Sequence, residues 1–160
     1  MADTNAMGAR GESIFKIRIT EHYLFTGDFL GDKFPIVDFL LEVNEPTGTY
    51  PFFVQVKSTE KGYDANGNLQ IKVPKNKYRA LQRKPFPTYV AGVDVNKEIV
   101  YLCSAFQKNK TISSMPTRHC LKFSRKKRTL CTLQLLKQDV IDYWDGLYTK
   151  VNKDTFGSKL

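Results

Sequence analysis

Two apolar runs, Ile36 to Val43 and Phe52 to Ser58, constrain this chain more than any other feature. Both are rich in β-branched, aromatic and aliphatic residues. The segment between them, Asn44-Glu45-Pro46-Thr47-Gly48, has the composition of a turn. They predict the two strands of a hairpin, and folding it symmetrically about Pro46 and Thr47 sets Asp38 opposite Gln55. Side chains alternate faces along a strand, so Asp38, Gln55 and Lys57 share one face while Val54 and Val56 occupy the other. A carboxylate, an amide and an ammonium thus gather on one face of an otherwise apolar hairpin. Such groups cost desolvation energy among hydrophobic neighbours unless they are paired or put to use. A salt bridge on a wet strand face would look the same, so the pattern alone leaves a site and a surface pair both standing.

An Asp on one strand followed by (Glu or Gln)-x-Lys on the next resembles the signature of the PD-(D/E)XK nuclease-like superfamily. Here it reads Ile36-Val37-Asp38 and then Gln55-Val56-Lys57. Gly11-Glu12 is similar to the Gly-Glu pair that such proteins often carry on a preceding helix. Gln55-Val56-Lys57-Ser58, followed by a glycine-containing loop, most resembles a family of small bacterial proteins within that superfamily. The resemblance covers residues 8 to 105. It implies an α/β fold, a central mixed β-sheet flanked by helices with an αβββαβ core. It also implies a metal-dependent endonuclease hydrolysing phosphodiester bonds of DNA, in bacterial defence or DNA processing.

The same resemblance assigns roles. Asp38 would be the principal ligand of Mg²⁺ or Mn²⁺, with the Gln55 side-chain carbonyl and the Val56 main-chain carbonyl beside it. Lys57 would orient the attacking water or stabilise the transition state, and Glu12 would steady a water or serve a second metal. Gln55 departs from the acid that many superfamily members carry there. Glu42 lies on Asp38's face, four residues or about 13 Å along the strand, and would supply the missing acid in another register. The alternative is a catalytically inactive module of this fold that binds nucleic acid or a protein partner.

Charge is unevenly spread along the chain. From Ile99 to Gln138 there is no Asp or Glu, yet nine basic residues fall there: Lys108, Lys110, Arg118, Lys122, Arg125, Lys126, Lys127, Arg128 and Lys137. They account for the whole net charge of +9. A second acid-free interval, Ala65 to Val93, holds Lys72, Lys75, Lys77, Arg79, Arg83 and Lys84. Basic pools of this kind attract polyanions, which makes nucleic acid the expected partner. Lys108, Lys110, Arg118, Lys122 and Arg125 to Arg128 are the candidate phosphate contacts. An enzyme that cuts both strands often works as a pair, so a homodimer is one expected assembly.

A chain of 160 residues with 41% hydrophobic residues is one domain's worth of soluble protein. No run is apolar enough for a secretory signal or a membrane span. Three cysteines without a Cys-x-x-Cys predict reduced thiols and a cytoplasmic setting. The spacing of Cys103, His119, Cys120 and Cys131 does not suit common zinc sites, so the cysteines are expected as buried small hydrophobes.

Residues 1 to 8 are expected to be disordered, 9 to 150 to form a single domain and 151 to 160 a tail. A helix is predicted from Gly11 with Ile14, Phe15 and Ile17 toward the core. Leu69, Ile71 and Val73 alternate as in a third strand. Lys75 to Lys84 suits a short helix, and Thr88 to Asp94 and Glu98 to Ser104 an additional strand pair. Leu133, Leu136, Val140, Tyr143 or Trp144, and Leu147 recur at helical spacing, with Asp139, Asp142 and Asp145 as a solvated stripe.

Overall fold

A computed structural model describes residues 4–31, 34–106, 114–125 and 129–153, with side chains to residue 147. Its elements in chain order are α1 (Thr4–Thr20), β1 (Phe25–Phe29), β2 (Phe39–Val43), β3 (Tyr50–Thr59), α2 (Lys75–Gln82), β4 (Thr88–Asp94), β5 (Ile99–Ser104), β6 (Leu121–Phe123) and α3 (Thr129–Lys153). The six strands form one sheet in sequential order. Only β3 and β4 run parallel, because α2 carries the chain back between them; every other neighbouring pair is antiparallel. The protein is therefore an α/β fold with a mixed six-stranded sheet flanked by helices, and its first six elements run α, β, β, β, α, β.

Alternation along the strands sends two sets of side chains to opposite faces. Phe39, Leu41, Phe52, Val54, Ala91, Val93, Val100 and Leu102 meet Ile14, Phe15 and Ile19 of α1 and Leu133, Leu136 and Val140 of α3. On the other face Val37, Phe53, Val90, Tyr101 and Cys103 pack against Tyr78 and Leu81 of α2. Leu69, Ile71, Val73 and Met115 complete that second layer. A Cβ on Gly92 would stand 2.6 Å from the Met115 sulfur, so this glycine lets the covering segment lie directly on β4.

Several expectations change here. Residues 4 to 8, expected to be disordered, are the first turns of α1, and α3 continues past residue 150 to Lys153. The helix buries Gly11, Ile14, Phe15, Arg18 and Ile19, while Ile17 is 57% exposed. Apolar residues alone mark the wrong edge of that stripe, because Arg18 enters it with ion pairs to Glu21 and Glu98. Leu69, Ile71 and Val73 alternate because they cover the sheet. Among the described residues their only pairing is the isolated bridges of Leu69 with Tyr63 and Met115, and the predicted third strand is not formed there. Cys103 is buried as expected, but Cys131 is exposed. Among the described residues no three His, Cys, Asp or Glu side chains are grouped to hold a metal, and no helix is long and apolar enough to cross a membrane.

Helix α3 is fixed by more than its apolar stripe. The Tyr89 hydroxyl donates to Asp139 at 2.5 Å, and Trp144 Nε1 donates to the Pro51 carbonyl at 2.9 Å. Asp139 is thus a tether, unlike the solvated stripe the sequence predicts. Neighbouring leucines test the orientation of the helix. Leu136 has no exposed surface and Leu135 is 61% exposed. Leu136→Ala should cost about 2–5 kcal/mol in urea unfolding, and Leu135→Ala less than about 0.5 kcal/mol.

Candidate active site

The hairpin register is the one that symmetry about Pro46 and Thr47 predicts: Phe39 pairs with Val54, Leu41 with Phe52 and Val43 with Tyr50. The last main-chain bond of the ladder runs from Asp38 N–H to the Val54 carbonyl, 3.0 Å. Beyond it β3 continues to Thr59, paired with β4 alone. Val56 is the next residue whose N–H and C=O point toward the missing neighbour. A buried main-chain group needs a partner, and side chains provide it. Val56 N–H donates to Asp38 Oδ2 at 2.6 Å. Gln55 Nε2 donates to the same oxygen at 2.6 Å and to the Val56 carbonyl at 3.2 Å.

Two acceptors thus hold the Gln55 amide nitrogen, which fixes its orientation. Its donor contacts are a carboxylate oxygen and a main-chain carbonyl, the hard oxygens that a small divalent cation prefers. Leu30 N–H donates to the Asp38 carbonyl at 2.7 Å and holds the residue from the β1 side. Ile36, two residues earlier, has φ of +79°, a left-handed conformation that costs a β-branched side chain on the order of 1–3 kcal/mol. Strain of this kind often accompanies functional segments.

Helix α1 closes the other side. Gly11 lies directly on β3, where a Cβ would fall 1.7 Å from Ser58 Oγ. This close approach brings the next residue, Glu12, to the open end of the hairpin. Glu12, Asp38, Gln55, Val56, Lys57 and Ser58 all line one cleft of about 290 Å³. The four residues proposed for chemistry from sequence therefore converge. Glu42 does not; it lies opposite Pro51 and lines a separate cleft with Thr26 and Asp28.

Burial strains both charges of the site. Desolvation pushes the Asp38 carboxyl above its ordinary value, against the opposing effects of the Val56 N–H, Lys57 and Lys77. Desolvation likewise lowers the Lys57 ammonium, assisted by the nearby Lys77 charge and opposed by Asp38. Lys77, on α2, is the member of this electrostatic group that sequence reasoning did not place. Its only signal was a position in an acid-free interval.

The described members of the basic segment have separate surroundings. Arg125 pairs with Glu98 at 2.6 Å, and Lys137 pairs with Glu45. Lys122 lies over the Tyr101 ring at 6.0 Å. Arg118 lines a different cleft, with His119, Leu135 and Asp139. Lys108, Lys110, Lys126, Lys127 and Arg128 lie outside the described residues. Comparison with protein-family models, with curated proteins and with solved structures gave no match.

The shifted ionisations have a direct consequence for stability. Asp38 holds its proton to higher pH in the folded than in the unfolded chain. Its contribution is complete below pH 3.8 and falls as pH rises through the raised value. Lys57 is the reverse: its ammonium opposes folding at neutral pH, and stability recovers as pH climbs through its lowered value toward 10.5. Asp38→Asn and Lys57→Met should therefore each raise the thermal midpoint at pH 7, while Gly11→Ala should lower it through the clash with Ser58. Scanning calorimetry of the three variants checks both directions.

Proposed function

We propose that the protein is a metal-dependent endonuclease that hydrolyses phosphodiester bonds of DNA. The observation that carries this is the convergence of Glu12, Asp38, Gln55 and Lys57 on one cleft where β2 leaves β3. Structural residues have no evident need for two desolvated charges in such a place.

The donor set fits Mg²⁺ or Mn²⁺, held weakly. Asp38 offers a carboxylate and Val56 a carbonyl, and Gln55 would present its amide oxygen to the cation after turning about its last torsion. One carboxylate with neutral partners suits a hard cation that keeps several waters. When bound, the cation supplies positive charge that favours hydroxide over water and offsets charge growing on the phosphate.

The chain's own groups do the remaining work. Lys57 shares the cleft with Asp38 and interacts with its charge, and the partly desolvated ammonium directs charge at a phosphate oxygen as the transition state forms. Glu12, across the cleft, accepts a hydrogen bond from the attacking water and steadies it. Tilting the Gln55 amide away from Asp38 frees that carboxylate for the reaction. Cys103, Cys120 and Cys131 form no disulfide, which suits the reducing, cytoplasmic setting of this reading. Nucleic acid is the proposed partner, and paired chains would allow both strands to be cut.

One observation favours a second reading, a non-catalytic module of the same fold. The Gln55 amide already satisfies Asp38 and Val56 without any cation. The two readings differ in a nuclease assay. Cleavage of plasmid and linear DNA should require Mg²⁺ or Mn²⁺ and fall at least about 100-fold in Asp38→Ala and Lys57→Ala, a typical effect of losing a group that acts on the transition state. Gln55→Glu should tighten Mn²⁺ binding by calorimetry, because it restores a carboxylate. Cleavage unchanged in Asp38→Ala, or no cleavage of any nucleic acid with either metal, would contradict the enzymatic reading.

A further inference from the structure

A second cleft, of about 540 Å³, adjoins the first and shares Met7, Lys57 and Ser58 with it. Lys57, Lys61 and Lys72 line it, and among the described residues none of the three is in an ion pair. Its one acidic lining residue, Asp64, is committed to its own turn. Asp64 Oδ1 accepts the N–H groups of Asn66 at 2.8 Å and Asn68 at 3.0 Å, and these bonds hold the carboxyl below its ordinary range. The lining therefore carries three ammonium groups against one occupied carboxylate.

The segment that carries Lys61 and Lys72 is braced. Gln70 N–H donates to the Gly62 carbonyl at 3.0 Å, and its side-chain amide donates to the carbonyls of Lys61 at 3.3 Å and Tyr63 at 3.1 Å. Asp64 N–H donates to the Asn68 carbonyl at 2.9 Å. Ile71 and Val73 are buried on either side of Lys72, so that lysine is directed outward from a fixed base.

We propose that this cleft binds the phosphodiester backbone of a nucleic-acid strand and leads it past Lys57 to Asp38. The proposal deepens the nuclease reading and rests on it for the position of the reacting phosphate, but not for binding itself. It moves the phosphate track from the 108–128 segment to Lys61 and Lys72. Ammonium groups without bidentate geometry contact phosphates as point charges, so binding here is indifferent to base sequence.

Fluorescence anisotropy with labelled single-stranded and duplex DNA, in EDTA and over a range of NaCl, tests this directly. Both lysines are exposed, so Lys61→Gln/Lys72→Gln should melt as the wild type does. The double variant should bind all sequences more weakly. Its plot of log affinity against log salt should be shallower by about 0.9 per lysine on duplex or about 0.7 per lysine on single strands. Arg118→Gln, in a separate cleft, should keep the wild-type slope. Isotherms of the double variant that match wild type at every salt concentration, or a wild type that binds no nucleic acid, would overturn the proposal. If the lysines govern binding but no metal elicits cleavage, the nuclease reading falls and this cleft stands. If cleavage depends on Asp38 while the double variant binds and cuts like wild type, the reverse holds.

Discussion

Everything at the candidate site depends on the unpaired edge of β3 beyond Val54. Strand β2 ends its ladder at Asp38 while β3 runs on, leaving the N–H and C=O of Val56 without a strand partner. An unmet main-chain group in that setting costs about 1–3 kcal/mol. Asp38 and Gln55 remove that cost by hydrogen bonding to Val56 from the side. The same bonds fix a carboxylate and an amide at the mouth of a cleft, next to Lys57. A gap in the sheet is thus converted into a cluster of polar groups of defined geometry.

Helix α1 makes the gap a cleft and not an open edge. Gly11 permits contact with Ser58, and the buried stripe through Ile14, Phe15, Arg18 and Ile19 anchors the helix to the sheet. Glu12 then faces the site from the other side. The arrangement has a cost in stability, visible in the shifted ionisations of Asp38 and Lys57, which the well-packed layers on both sheet faces offset. Polar groups strained in this way point to ligand chemistry. Lys61 and Lys72 line the adjoining cleft, which shares Lys57 with the site.

Much of this was legible in sequence because it is local. The hairpin register follows from turn residues at Pro46 and Thr47 and from period-two alternation, so Asp38 and Gln55 could be placed opposite each other without coordinates. The mixed sheet with flanking helices followed from the order of periodic segments. What was not legible is set by distant contacts. Leu69, Ile71 and Val73 alternate like a strand, yet they cover a sheet that holds no place for them. Arg18 enters the core where Glu98, eighty residues away, joins the local Glu21 in meeting its guanidinium. Asp139 appears as one carboxylate in a helical stripe until Tyr89 arrives from β4. Strand β6 is three residues long, too short for the alternation of Leu121, Lys122 and Phe123 to mark it within a basic stretch. The basic segment likewise pools in sequence, while Arg118 and Arg125 end up at different places on the fold.

In the proposed cation site of Asp38, Val56 and Gln55, the Gln55 amide now occupies the carboxylate and the carbonyl. A crystal soaked in Mn²⁺ and measured for anomalous scattering tests this most directly. The expected result is a peak within bonding distance of the Asp38 carboxylate and the Val56 carbonyl, with the Gln55 amide turned so that its oxygen faces the ion. A crystal with Mn²⁺ bound elsewhere and Gln55 Nε2 still donating to Asp38 would contradict it.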